Sequence, residues 1–458
     1  MTNPNPTPSR AITRELFDLA LPVAGLNFLS VLALAIDTAM CSRLPEAATA
    51  LTALGFAAQL VFLLTVFMMG LSVGTIALVA RARGANDELR ARSLLAQSST
   101  ATVILALFVT ALAFLSAPAM LRALGAEPMP TQVALEFLHP LLAATVVNYL
   151  NLLYTSILRA SGNTKLPFRV ALVATVINVI VNYALINGRL GAPSLGVRGA
   201  ALGTVTAQIF SLIVTFSILR AGTVPSVRPA FALKLDLSVV SQILRVGTPA
   251  ALDMILLNLG FLALIGMLGR IDATAVAAHG IGLRIQALAF VPGLGVSQAS
   301  GALIGQALGA RDAFRARAVV RSAILMCTTL MASLGLAIVA SSDFIVSAFE
   351  ITVGTELHTL TVLWLKVLGY SMPIFGLHIA LVGLLQGSGA TWTSLGINLT
   401  TTIGIQIPLA LFLGFSLSLG PLGIWMSFPL SFLAKAVLEL VAYRRGGWAK
   451  LGTTIGKR

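Results

Sequence analysis

Charge is scarce in this chain. Of its 458 residues only 10% are Asp, Glu, Lys or Arg, whereas 57% are hydrophobic, and the mean hydropathy is +0.94. Soluble domains carry about a quarter charged residues, so an ordinary soluble fold is excluded and a chain that crosses a bilayer many times is expected. Polar residues are too few for intrinsic disorder. Cysteine is nearly absent: Cys41 and Cys327 cannot build a disulfide framework or a Cys-rich metal site. Both lie in or beside apolar segments and read as small buried hydrophobes. The 40 Gly and 19 Pro follow no G-X-Y period, which rules out collagen. P-loop spacing is missing, as are H-E-x-x-H and any nucleophile–base constellation. No ATP site, metal centre, cofactor or enzymatic activity is therefore expected.

A spanning helix needs about 20 apolar residues. Twelve segments qualify: Leu21–Met40, Leu51–Val79, Leu94–Ala117, Leu138–Leu158, Val170–Ile186, Val197–Leu219, Leu244–Leu268, Thr274–Leu303, Val319–Val339, Leu360–Leu385, Leu395–Phe415 and Leu422–Val441. A β-barrel would show alternating segments about ten residues long, so the expected fold is an all-α membrane protein. The stretch before Leu21 is Pro-rich and contains Arg14, Glu15 and Asp18. It does not read as a cleaved leader, and the first helix is the expected insertion signal.

The formal net charge of +14 would suggest a nucleic-acid partner in a soluble protein. Here the positions of the charges decide otherwise. Loops on one side hold 22 of the 30 basic residues, from Arg10 and Arg14 through the Arg81–Arg92 and Arg311–Arg321 loops to Lys450, Lys457 and Arg458. The opposite loops hold five: Arg43, Arg122, Arg189, Arg198 and Arg270. By the positive-inside rule both termini are expected in the cytoplasm, and the excess charge needs no nucleic acid.

The chain repeats itself. Gly84-Ala85-Asn86-Asp87 with Arg90 and Arg92 answers Gly309-Ala310-Arg311-Asp312 with Arg315 and Arg317, at an offset of 225 in the numbering. The stretch Ile157–Thr164 answers Leu384–Thr391, and Pro22 answers Pro249, both at an offset of 227. Repeats at one spacing imply two like halves. Each has six spans, an even number, so both insert the same way up, as in transporters with parallel repeats. The expected organisation is an N-terminal six-helix lobe at 1–220, a linker at 221–241 with Pro225 and Pro229, and a C-terminal lobe at 242–458.

Two carboxylates stand well inside apolar segments, Asp37 and Asp253. A charge at the bilayer centre costs about 2.5–3.5 kcal/mol on insertion scales, which makes each a functional candidate. Asp37 has polar company. Asn27 and Ser30 share its helical stripe, Thr175, Asn178 and Asn182 form another, and Thr204, Gln208 and Ser211 a third. Polar stripes on apolar helices should face one another rather than lipid. A carboxylate among amide and hydroxyl oxygens suits a proton or a hard cation such as Na+; hydrogen bonding between helices is the competing reading for the neutral residues. His279 and Arg284 lie along the eighth span, where Arg284 is a candidate counter-ion for Asp253; the pair would then be structural rather than a second coupling site. Lys366 has the same ambiguity. Asn148, Asn151 and Thr155 form a fourth stripe, and Met68, Met69 and Met254 are candidates for an adaptable pocket.

The residue series in the second half is specific. Gly247-Thr248-Pro249-Ala250-Ala251-Leu252-Asp253 is followed by Val276-Ala277-Ala278-His279-Gly280, Phe290-Val291-Pro292-Gly293, Gln306-Ala307-Leu308-Gly309-Ala310 and Gln406-Ile407-Pro408. With Leu158-Arg159-Ala160-Ser161-Gly162-Asn163-Thr164 and Gly196-Val197-Arg198-Gly199 in the first half, it resembles the multidrug and toxic compound extrusion (MATE) transporters over nearly the whole chain. The resemblance implies two pseudo-symmetric six-helix lobes in a V and cation-coupled (H+ or Na+) export of amphipathic, cationic drugs by alternating access. It maps Asp37, Asn178, Asn182 and Thr204 onto the cation site of the N-terminal lobe, and Asp253 onto an acidic position of helix 7 in one branch. The chain departs from the family at Arg81, the counterpart of Gln306; at Asn182, where some members carry a carboxylate; and in lacking an acid between Ser371 and Gln386. A monomer in a bacterial inner membrane is expected. The alternative within transport is a flippase for lipid-linked precursors of related architecture, which basic residues lining the cleft would favour.

Overall fold

A computed structural model describes residues 9–222 and 228–449. Pro225 of the expected linker and the basic residues Lys450, Lys457 and Arg458 lie outside the described residues. Every regular element among the described residues is helical, and there is no strand among them. In order, the helices are α1 (Ser9–Cys41), α2 (Ala47–Gly84), α3 (Glu88–Ala123), α4 (Pro128–Ala143), α5 (Thr145–Ala160), α6 (Lys165–Asn187), α7 (Gly196–Arg220), α8 (Leu237–Gly269), α9 (Ala273–Gly309) and α10 (Ala313–Ala340). The short α11 (Ser342–Ser347) and then α12 (Glu356–Gly387) follow. The next span, Thr391–Ser416, joins α13 (Thr391–Thr401) and α14 (Ile407–Leu411) with π-helical turns at Thr402–Gln406 and Phe412–Ser416. It ends before α15 (Gly420–Arg445).

Eleven of these spans are long and apolar enough to cross a membrane, and α4 with α5 makes a twelfth, bent by 58°. Each of the twelve expected segments is found, but the fourth is broken where a single helix from Leu138 to Leu158 was expected. At the break the Thr145 hydroxyl donates to the carbonyl of Leu142 at 2.8 Å.

The repeated Gly-Ala-x-Asp motif has a structural cause. Both copies close one long helix and open the next. Asn86 and Arg311 take left-handed backbone, with φ of 55° and 58°. The carboxylates of Asp87 and Asp312 then cap α3 and α10 by accepting the amides of Arg90 and Arg315, at 2.9 and 2.8 Å. Capping by a short acidic side chain contributes about 0.5–2 kcal/mol per helix.

The chain forms two compact units. The first is 25–248. The second combines residues 9–24 with 249–449. Their boundaries fall inside α1 and α8, beside Pro22 and at Pro249, and not at the expected 221–241 linker. That stretch is stitched to α3 within the first unit: the Ala232 amide donates to Thr100 Oγ1 at 2.9 Å, and Gln97 bonds the carbonyl of Lys234 and the amide of Asp236 at 3.1 and 2.9 Å. Within the second unit, Ile12, Leu16 and Ala20 join the core of α9, α10 and α12, and Glu15 pairs with Arg315 at 2.8 Å.

α2 packs against α3, α4 and α5 in the first unit, where α7 packs against α4, α5 and α6. α12 is central to the second, between α9, α10 and α15. It reaches its neighbours through glycines. A Cβ on Gly369 would meet the Gly335 carbonyl at 2.7 Å and Val339 at 2.6 Å, and one on Gly376 would meet the Cys327 carbonyl at 2.7 Å. Such close backbone approach is how apolar helices gain packing in lipid, where the hydrophobic effect offers none. Gly369→Leu should therefore cost about 1–3 kcal/mol by overpacking and lower the unfolding temperature in detergent. Gly396→Ala on α13, where a Cβ meets nothing within 4 Å, should leave that temperature unchanged or raise it; equal melting of the two variants would contradict this packing.

Candidate functional site

Three helices of the first unit bring Asp37, Asn178, Asn182 and Thr204 together. α1 contributes Asp37, α6 contributes Asn178 and Asn182 one turn apart, and α7 contributes Thr204. The Asn182 amide donates to Asp37 Oδ1 at 2.5 Å, and the Thr204 hydroxyl donates to Oδ2 at 3.5 Å. Asn182 also donates to Asn178 Oδ1 at 3.3 Å, and Asn178 donates to Thr204 Oγ1 at 3.3 Å. Asn182 is fully buried, and its own Oδ1 has no hydrogen-bond partner among the described residues. That oxygen presses on Gly203, where any Cβ would collide with it.

The site opens on a cavity of about 870 Å³ within the same unit. Its polar wall is made by the stripes seen in the sequence: Ser30 and Asp37 on α1, Asn148 and Asn151 on α5, Thr175 and Asn178 on α6, and Thr204, Gln208 and Ser211 on α7. The rest of the lining is mostly Leu, Ala and Val with Phe62 and Phe137, joined by Thr38, Thr65, Thr145 and Tyr149. Asp37 is the single charged residue in the lining. The volume lies within the about 300–1,000 Å³ of small-molecule sites. Ser211 donates to Asn151 at 2.9 Å, so this part of the wall is internally hydrogen-bonded. Asn182, Asn27 and Thr155 stand outside the lining, as do Met68 and Met69. Met68 is instead fully buried, with the Thr102 hydroxyl at 4.0 Å from its sulfur.

The second unit does not join Asp253, His279 and Arg284. Asp253 is buried and accepts from Asn398 Nδ2 at 2.7 Å and from Ser394 Oγ at 3.2 Å. Arg284 is exposed and forms no ion pair with it. The reason is helical phase: His279, Gly282 and Gln286 make the buried stripe of α9, and Arg284 projects from another face. His279 packs on Trp364, ring centroids 5.0 Å apart, and neither of its nitrogens has a partner among the described residues. Lys366 is half-buried on α12.

Three buried residues that sequence reasoning did not single out as candidates lie in the same unit as Asp253: His378, Lys435 and Glu439. His378 Nδ1 lies 3.0 Å from both carboxylate oxygens of Glu439, and both side chains are buried. Lys435 is buried one turn before Glu439 on α15, with its ammonium 5.6 Å from the centroid of the Phe432 ring. Glu439 is a third intramembrane carboxylate. Its closeness to Arg444 and Arg445 made it look like part of a charged helix end, and the one available signal was the Lys435–Glu439 spacing of four.

The two aspartates are not copies of one another. Asp37 lies fifteen positions after Pro22, and Asp253 only four after Pro249. The difference, eleven positions, is about three helical turns, ~16 Å of rise with a rotation of only ~20°. Both face the same side of their helices at different depths.

The MatE family model matches residues 22–184 and again 249–412, one match to each half of the repeat. The probable multidrug resistance protein NorM of Thermotoga maritima is 27% identical over 447 residues, covering 96% of this chain and 94% of that one. The probable multidrug resistance protein YoeA of Bacillus subtilis is 28% identical over 398 residues, covering 85% of this chain and 84% of that one. A solved structure described as the outward-facing conformation of a multidrug resistance MATE family transporter superposes with a TM-score of 0.87 at 21% identity, covering 97% of each chain. At that identity the superposition speaks for the fold.

Cysteine scanning checks the cavity. In a Cys41→Ala, Cys327→Ala background, Ser30→Cys and Gln208→Cys on the wall should react with a membrane-impermeant maleimide at least tenfold faster than Ser99→Cys. Ser99 is fully buried on α3 against Tyr154. Equal rates at the three positions would refute the cavity.

Proposed function

Because the chain belongs to the MatE family, the multidrug and toxic compound extrusion transporters, we propose that it is an H+- or Na+-coupled antiporter. It exports amphipathic, mostly cationic organic compounds by alternating access, with Asp37 as the coupling carboxylate. The observation that carries this reading is the lone charge of Asp37 in the wall of a large, otherwise neutral cavity. Members of the family are transporters, not enzymes, and small organic molecules are the substrates that this cavity suits.

The coupling follows from competition. A drug cation and the coupling ion are both drawn to the same carboxylate, and low dielectric strengthens that attraction. Ion binding at Asp37 neutralises the cavity and releases the drug; drug binding displaces the ion. The hydrogen-bond net favours a proton over Na+. Asn178 Oδ1 and Thr204 Oγ1 already accept from neighbours, which leaves Asn182 Oδ1 as the unused amide oxygen near Asp37. A proton needs one carboxylate oxygen, whereas Na+ needs a shell of them.

The available energy depends on how many charges cross the membrane per cycle. One charge moving through ~150 mV yields about 3.5 kcal/mol, roughly a 300-fold gradient at about 1.4 kcal/mol per decade. An exchange of one proton for one monovalent drug is electroneutral, so the pH gradient alone would drive it. The strong one-sided distribution of basic residues supports cytoplasmic termini and a bacterial inner-membrane location. A monomer is the proposed transporting unit, since one chain supplies the whole cavity wall. A flippase for lipid-linked pyrophosphates is disfavoured because no Lys or Arg lines the cavity.

Everted membrane vesicles test the reading. A proton gradient should drive uptake of a fluorescent organic cation, and Asp37→Asn should reduce the initial rate at least tenfold without loss of protein from the membrane. Uptake driven by a matched sodium gradient alone would change the ion and keep the mechanism. Undiminished proton-driven uptake by Asp37→Asn would overturn Asp37 as the coupling residue.

A further inference from the structure

The chain from Arg228 to Asp236 forms no regular element, yet α3 holds its backbone. Thr100 Oγ1 accepts the Ala232 amide at 2.9 Å and donates to the Ala232 carbonyl at 3.1 Å. One turn earlier on α3, the buried Gln97 takes the Lys234 carbonyl and the Asp236 amide. The Asp236 carboxylate then opens α8 by accepting the Ser238 amide at 2.9 Å. Irregular backbone is tolerated beside hydrocarbon only where protein satisfies its polar groups, and two side chains of a spanning helix satisfy four such groups in this strap.

What the strap turns outward is apolar. Leu233 is fully exposed, Leu237 is 74% exposed and Phe231 50%. The neighbouring surface of α3 is apolar as well: Ile104, Leu107 and Phe108 are exposed inside a span apolar enough to cross a membrane. Ile104 follows Thr100 by one turn on the same face, about 6 Å of rise. The strap therefore crosses α3 where its lipid-facing stripe begins. Cations flank it. Between 220 and 245 the basic residues are Arg220, Arg228, Lys234 and Arg245, all exposed, and the one acid is Asp236, engaged at the start of α8. The Arg228 guanidinium folds back to the end of α7, where a Cβ on Gly222 would meet it at 3.2 Å, two residues after Arg220.

We propose that the strap lies in the boundary between headgroups and acyl chains of the bilayer, with Phe231, Leu233 and Leu237 among the chains and Arg220, Arg228 and Lys234 on the phosphates of anionic lipids. Two observations fix this occupant. The strap continues the lipid-facing stripe of α3, so the bilayer that covers Ile104 and Phe108 reaches Leu233 within about one helical turn. The basic excess complements anionic headgroups, and apolar with basic side chains on one segment is the combination that binds a membrane interface. The segment between the two repeats is thus anchored in lipid rather than free in water, and anionic lipid is a ligand of the first unit. This requires only that the chain crosses a bilayer; it is independent of the coupling ion and of the transported compound.

Fluorescence quenching in vesicles of phosphatidylcholine and phosphatidylglycerol tests the placement. Full-length protein with Cys41→Ala and Cys327→Ala carries one fluorophore, at Leu233→Cys or, as the aqueous reference, at Ala85→Cys on the exposed turn between α2 and α3. Leu233 is fully exposed, so its replacement should not disturb folding. Iodide in the water should quench the label at 233 at least threefold less than the label at 85. Lipid spin-labelled beside the headgroup should quench it at least threefold more. Equal quenching by iodide at the two positions would overturn the proposal. Protection of 233 from both quenchers would overturn it too, since protein, a second copy included, would then cover the strap. For the phosphates, spin-labelled phosphatidylglycerol should quench the label at 233 at least twofold more than spin-labelled phosphatidylcholine at equal mole fraction. Arg220→Gln, Arg228→Gln and Lys234→Gln together should abolish that preference. Its absence from the protein that keeps these three cations, or its survival without them, would overturn their assignment to anionic lipid.

Discussion

Hydrocarbon offers no hydrogen bonds, and every polar group carried into it must find its partner within the protein. This requirement explains why the described chain is helical, since only helices satisfy the backbone within each span. It also explains the placement of side chains. Ser and Thr hydroxyls throughout the spans return to carbonyls one turn back, as Thr75 does to Leu71 at 2.8 Å and Thr361 to Leu357 at 2.6 Å. Amides and carboxylates cannot satisfy themselves in this way, and they collect where helices face one another.

With no hydrophobic driving force between helices in lipid, contact between backbones becomes the means of assembly. The glycines of α12 show this, each lying against a carbonyl of α9 or α10. Both halves of the repeat also use a glycine pair at one helix start: a Cβ on Gly199 would meet Leu185 at 2.7 Å, and one on Gly423 would meet Leu413 at 2.5 Å. Duplication has kept the backbone contacts, the Asp caps and the prolines. The interior side chains have diverged.

That divergence separates the interiors of the two units. In the first, neutral amides and hydroxyls surround a single carboxylate and leave room for a molecule of drug size. In the second, the corresponding positions carry two carboxylates, an ammonium and an imidazole; His378 pairs with Glu439 at 3.0 Å, and Asp253 is held by Asn398 and Ser394. A buried charge is tolerated only with compensation, and in both units amide or hydroxyl groups from neighbouring helices supply hydrogen bonds to the buried aspartate.

The sequence by itself determined the span count, the two-fold repeat, the polar stripes of α1, α5, α6 and α7, and the place of Asp37 among them. These follow from local periodicity and from the cost of a charge in an apolar run, both of which are read along the chain. The partners of Asp253 were decided by tertiary structure alone. Arg284 was the near candidate in sequence, but its phase on α9 turns it away, while Asn398 and Ser394 arrive from a span far along the chain. Glu439 was hidden because a carboxylate near a basic helix end looks solvated until packing encloses it. The unit boundaries at Ala24 and Thr248 were also invisible, since a long helix shared between two cores has the same periodicity as one that belongs to a single core. Periodicity tells which face of a helix is polar; only packing tells which helix that face will meet.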